Sequence, residues 1–172
     1  MLKKLFIALL LFSPFSVQAL DPLTAPEYKD KGMLVVEAPL SDNTITITNT
    51  ATGATQNITP GTVNWVTPGN YNVTIKMQDY TYNQNILVKA TERADAKAIG
   101  YGAIKVNTPS PTDMIEVVAA GSGNSIAKFP SSQAKIVPTG TYEVKIQVGS
   151  NLLTQSNIMV VTNTTREINV QY

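Results

Sequence analysis

Two stretches of alternating sequence decide the fold: residues 68–77 read PGNYNVTIKM, and residues 140–148 read GTYEVKIQV. Apolar and polar side chains alternate in both, which is the period of a β-strand with one buried and one solvated face. The two tyrosines are 71 positions apart (142 − 71), and the opening runs GMLVV at 32–36 and GAIKV at 102–106 are 70 apart (102 − 32). This spacing predicts two tandem copies of one small β domain.

Turn residues separate the predicted strands at intervals of roughly 8–12 residues, as in β-sandwiches. We therefore predict an all-β fold of two tandem, small, immunoglobulin-like β-sandwich modules at 32–100 and 101–172, after an extended leader at 20–31. In each module one short strand precedes the Pro/Gly turn, and the closing strands lie near 96–99 and 166–170. Residues 90–98 are compatible with helix, and we interpret them as a turn or one loose helical turn.

The first nineteen residues read as a secretion signal. Lys3 and Lys4 precede an apolar run at 5–12, and VQA at 17–19 suits the cleavage subsites, so we predict removal before Leu20. The apolar run is shorter than the ~20 residues that span a bilayer, which argues against a stable membrane anchor. The cysteine-free chain behind this signal fits a bacterial periplasm.

Composition removes several classes of function. The chain has no His and no Cys, so Ser-His-Asp and Cys-His catalysis and most zinc sites are excluded. Its formal net charge of +1 gives no electrostatic case for nucleic acid. The carboxylates are scattered among turns and solvated strand faces. We predict that the chain is not an enzyme and that it holds no cofactor and no metal.

The strand and turn layout resembles the PEGA family of small extracytoplasmic β-sandwich modules. The resemblance is carried by the opening run from Gly32 to Pro39, by PGNYNV at 68–73, and by the aromatic turn QDY at 78–80. The chain lacks the Pro-Glu-Gly-Ala run that names the family. The resemblance implies a non-catalytic envelope module, and it supplies no functional residues to carry over.

Three aromatic residues are the candidate binding residues. Trp65, Tyr80 and Tyr82 cluster in the first copy, where a flat aromatic platform would stack on sugars or on a partner protein. Alternatively, Trp65 fills the core between the sheets, and this is the interpretation that we favour. The second copy offers the aliphatic Ile136 near the Trp65 position. A glycan platform requires an exposed Trp65, whereas a structural module requires a buried one.

These features predict a secreted binding or scaffolding protein, an accessory of a cell-envelope assembly. It would act by surface complementarity or by strand addition at an exposed edge. Its partner would be an envelope protein complex or cell-wall glycan. A glycan- or peptidoglycan-binding module is the alternative, and a small outer-membrane β-barrel is a minority alternative because the chain ends on an alternating, aromatic-terminated segment.

Overall fold

The computed structural model describes residues 27–172, in which every regular element is a β-strand. The predicted signal peptide at 1–19 lies outside the described residues. No helix within 27–172 has the length and hydropathy needed to cross a membrane. The first seven strands are β1 (Gly32–Glu37), β2 (Thr44–Asn49), β3 (Thr55–Ile58), β4 (Val63–Val66), β5 (Gly69–Met77), β6 (Tyr80–Val88) and β7 (Arg93–Lys97). The next seven are β8 (Tyr101–Asn107), β9 (Met114–Ala119), β10 (Ser125–Pro130), β11 (Ala134–Pro138), β12 (Gly140–Val148), β13 (Asn151–Val160) and β14 (Thr165–Asn169).

The same topology occurs twice. In the first repeat a three-stranded sheet, β4-β1-β7, accompanies a four-stranded sheet, β3-β2-β5-β6. In the second repeat the sheets are β11-β8-β14 and β10-β9-β12-β13. The closing strands β7 and β14 run parallel to the opening strands β1 and β8, and all other pairs are antiparallel. This confirms the predicted all-β fold of tandem β-sandwich modules.

Each sandwich buries the apolar positions of its alternating strands. In β5, Tyr71, Val73, Ile75 and Met77 are buried while the residues between them reach solvent, as the period of two requires. The same alternation in β12 fills the second core. The first core also includes two buried residues of the second repeat, Ala103 and Ile136, so the two repeats are packed together.

Two details of the sequence prediction need correction. Of the two interpretations of 90–98, a turn is found at residues 90–91, but there is no helical turn, because Arg93–Lys97 is strand β7 in parallel register with β1. Its alanines favour helix locally, but pairing with β1 overrides that preference. Each repeat also has one more short strand than predicted, Thr55–Ile58 and its counterpart Ser125–Pro130.

Candidate functional site

Trp65 lies on the outer face of the first three-stranded sheet. It pairs with Met33 of β1, and the next residue, Val66, points the other way into the first core. Tyr28 stacks on Trp65 with ring centroids 4.6 Å apart and ring planes at 26°. Val63, two residues before Trp65 and therefore on the same face, is 50% exposed. We call this apolar surface of Tyr28, Met33, Val63 and Trp65 the Trp65 face.

The prediction that Trp65 fills the core is wrong. Trp65 is only partly buried and belongs to neither core cluster. Its cover is a tyrosine from the segment before β1 rather than the opposing sheet. Side chains alternate along β4, so Val66 points into the core and Trp65 points away from it.

Tyr80 and Tyr82 lie on β6, an edge strand of the other sheet, and pack against the first core from its margin. Tyr80 also contacts Tyr101 at the start of β8, with ring centroids 4.9 Å apart and ring planes at 44°. Burial, followed by the neighbouring charge of Asp79, raises the pKa of Tyr80 above its ordinary value. The structure therefore does not bring Trp65 together with Tyr80 and Tyr82 in one platform.

The repeat shows what the Trp65 face corresponds to in the second module. Met33 pairs with Trp65 across β1 and β4, and Ala103 pairs with Ile136 across β8 and β11 at the same register. Ala103 and Ile136 are 0% and 1% exposed, and both belong to the core cluster of the first repeat. The second module's equivalent of the Trp65 face is thus a buried interface with the first module.

Polar contacts fix this joint between the repeats. Gln78, in the β5–β6 turn, donates from Nε2 to the Ala134 carbonyl oxygen at 2.9 Å, and its Oε1 accepts from the Ile136 N–H at 3.0 Å. The side-chain amide therefore bonds to the edge of β11 as a neighbouring strand would. The adjacent Asp79 forms an ion pair with Lys135. Together these contacts hold the turn of one module against the sheet edge of the next.

Sequence reasoning missed Gln78, Asp79 and Ile136 as interface residues. Gln and Asp are ordinary turn residues, and nothing in the local pattern indicates that their side chains reach another module. One signal was present: Ile136 occupies the repeat position of an outward-facing Trp65. An aliphatic side chain at an outward position indicates that the face is covered.

A cleft of about 300 Å³ lies beside Trp65, lined in part by Lys31, Asn49, Gln56 and Thr67. The Lys31 Nζ donates to the Thr67 hydroxyl at 3.3 Å across this cleft. Its mixture of amide, hydroxyl and ammonium groups next to an indole is chemically suited to a sugar hydroxyl ligand. Within residues 27–172, no cluster of three or more His, Cys, Asp or Glu side chains could hold a metal ion.

Comparison with known protein families finds no match, and no curated protein matches the chain. Among solved structures, the chain is similar to one described as the Bacillus anthracis TIE protein, at 13% identity and a TM-score of 0.32. The match covers 83% of this chain and 33% of that structure, so the chain spans about a third of its length.

Proposed function

We propose that the chain is a non-catalytic, exported binding or scaffolding protein of the bacterial periplasm, an accessory of a cell-envelope assembly. In this proposal the signal peptide is removed before Leu20, and PEGA-like modules at 32–100 and 101–172 form the mature body. The Trp65 face is the surface that receives the partner protein.

The observation that carries the proposal is the use of the equivalent face in the second module. There, Ala103 and Ile136 are buried under the turn and core of another β-module. A face built on the same strands at the same register is suited to the same kind of contact. In the first module it presents a tryptophan and a tyrosine, the residue types that anchor protein interfaces.

The exposure of the face supports a surface that is still open to a partner. Val63 stands where Ala134 stands in the second module, and it is 50% exposed. Tyr28 covers only part of Trp65. An exposed valine beside a partly buried indole presents apolar area that a partner module would remove from water, at about 25 cal/mol per Å².

The test compares two valines of nearly equal exposure. Val63 is 50% exposed on the Trp65 face, and Val161, after β13, is 48% exposed. The tagged mature protein is crosslinked in intact cells and recovered with its partners. Val63→Glu is expected to abolish recovery of an envelope protein that the parent and Val161→Glu both retain. Equal recovery by both variants contradicts the proposal.

The cleft beside Trp65 supports a second candidate, direct binding of cell-wall glycan. Its polar lining and the adjoining indole are the features that favour it. Co-sedimentation of the purified mature protein with peptidoglycan, lost in Trp65→Ala and retained in Val161→Glu, is the result expected of glycan binding. An absence of co-sedimentation leaves the protein partner as the ligand of this face.

A further inference from the structure

Seven of the eight sheet edges carry a feature that hinders pairing with another strand. The strands β3 and β4 have only four residues each, and β7 and β14 carry charged side chains. Register shifts interrupt β10 and β13. The last, β11, ends at Pro138, and the amide of Gln78 already bonds to its edge. Short length, charge, bulges and proline are the means by which proteins protect open sheet edges.

The edge strand β6 has none of these features. It runs for nine residues, YTYNQNILV, without a charged residue or a proline. Its register with β5 is unbroken from Tyr80 to Val88. Within the described residues, the backbone hydrogen bonds of β6 go only to β5, while the Gln84 side chain accepts from the Lys97 N–H of β7 through its Oε1 at 3.4 Å. Its outer edge therefore presents a row of free N–H and C=O groups, which is a template for another strand.

The outward side chains of β6 are held in place by β5. The Thr74 hydroxyl donates to the Asn83 Oδ1 at 2.8 Å, and the Asn72 Nδ2 donates to the Asn85 Oδ1 at 3.1 Å. These bonds fix the two asparagines of β6 on the solvated face of the sheet. The strand is thus ordered before any pairing, which lowers the entropy that pairing would cost.

The sequence of β6 is complementary to itself in the antiparallel direction. When two copies are aligned about Gln84, Asn83 lies opposite Asn85, Tyr82 opposite Ile86, and the flanking Thr81 opposite Leu87. Aromatic faces β-branched aliphatic, which is a favourable cross-strand pair, and amide faces amide. No like charges meet. A two-fold axis through Gln84 keeps the inner face of one sheet continuous with the inner face of the other.

We propose that β6 of one molecule pairs antiparallel with β6 of a second copy of this chain. The pairing joins two four-stranded sheets into one sheet of eight strands and closes the interface by two-fold symmetry. It uses a different sheet from the Trp65 face, so the dimer forms whether or not that face receives a partner. The dimer presents two Trp65 faces at once.

Charge placed on this edge tests the proposal. The double variant Asn83→Lys, Asn85→Lys sets two lysines opposite two lysines across the two-fold axis. We expect the parent's mass in sedimentation equilibrium to rise toward two chains with concentration, while this variant stays at one chain. The control, Thr154→Lys with Ser156→Lys on the bulged edge strand β13, is expected to behave as the parent. A parent that stays monomeric up to about 1 mM overturns the proposal.

A charge exchange separates loss of pairing from loss of folding. Asn83→Glu with Asn85→Glu is also expected to be monomeric, but an equimolar mixture with the lysine variant is expected to recover the parent's dimer mass. Amide exchange is expected to slow within 81–87 as the parent's concentration rises. A dimer that survives both charged variants, or a mixture that fails to pair while each variant keeps the parent's circular dichroism, contradicts pairing through β6.

Discussion

Replacing Gln78 with alanine should loosen the joint between the modules. The change removes the two hydrogen bonds that the side-chain amide makes to the edge of β11, at 2.9 and 3.0 Å. Each such bond contributes about 0.5–1.5 kcal/mol net. Because Gln78 is exposed, water replaces the lost partners in part, so we expect a total loss of about 1–2 kcal/mol in the free energy of unfolding.

Urea unfolding measured by two probes reports this loss. The single tryptophan, Trp65, lies in the first module, while far-ultraviolet circular dichroism reports on both. In the parent, the fluorescence and circular dichroism curves should coincide. In Gln78→Ala, the urea midpoint should fall by about 0.5–1 M, for a slope of about 2 kcal/mol/M. Gln147→Ala, which removes only a local bond to the Gly149 carbonyl, is the matched control. If the free energy of unfolding of Gln78→Ala lies within about 0.3 kcal/mol of that of Gln147→Ala, the Gln78 side chain does not hold the two modules together.

Three further changes test the packing. A β-carbon at Gly102 would collide with the Val161 carbonyl oxygen, whereas one at Gly140 would have 3.6 Å to its nearest neighbour. In thermal unfolding, Gly102→Ala should therefore lower the free energy of unfolding by about 1–3 kcal/mol, and Gly140→Ala by much less. The buried Tyr71 donates its hydroxyl to a backbone carbonyl at 2.7 Å, so Tyr71→Phe should cost about 1 kcal/mol, and no change would exclude that bond. Burial, followed by the charge of Asp79, raises the pKa of Tyr80 above 10.0. The folded state therefore favours the neutral phenol. This contribution to the free energy of unfolding is complete below pH 10.0 and is lost as the pH rises through the raised pKa. Tyr80→Phe should lose less stability between pH 9 and 11 than the parent. Equal losses would contradict the raised pKa of Tyr80.

The strands that sequence reasoning recovered are those whose alternation is long and uninterrupted. Tyr71 and Tyr142, whose spacing predicts the repeat, are both buried and donate to the carbonyl oxygen four residues earlier, at 2.7 and 2.6 Å. Local pattern suffices there because every second residue of β5 and β12 faces a core. The spacing of about 70 residues between the repeats then predicts the strands of the second module from those of the first.

Sequence reasoning failed where a distant partner decides the structure. The closing strand predicted near 96–99 lies at Arg93–Lys97, because pairing with β1 sets its position. Thr55–Ile58 has a single buried residue, so its alternation is invisible, and pairing with β2 defines it. The joint is a stronger case, since Gln78 and Ala134 are far apart in the chain and neither residue type indicates the contact.

The three candidate aromatic residues do not share one surface. Trp65 was singled out as a member of an aromatic cluster in the first copy, and it lies on the outer face of the first three-stranded sheet. Its grouping with Tyr80 and Tyr82 followed from sequence proximity, whereas the sandwich places them on different sheets. Proximity along a β-chain says little about which sheet a side chain joins, because the chain crosses between the two sheets after β1, β3, β4 and β6.

Site-specific photocrosslinking at position 63 in intact cells shows directly whether the Trp65 face docks a protein. A photoreactive side chain there lies on the Trp65 face, and one at position 161, in the second module after β13, has nearly equal exposure, 48% against 50%. We predict one discrete protein adduct from position 63 that position 161 does not give. The same adducts from both positions, or none from position 63 in cells that export the folded protein, would contradict a protein-docking role for this face.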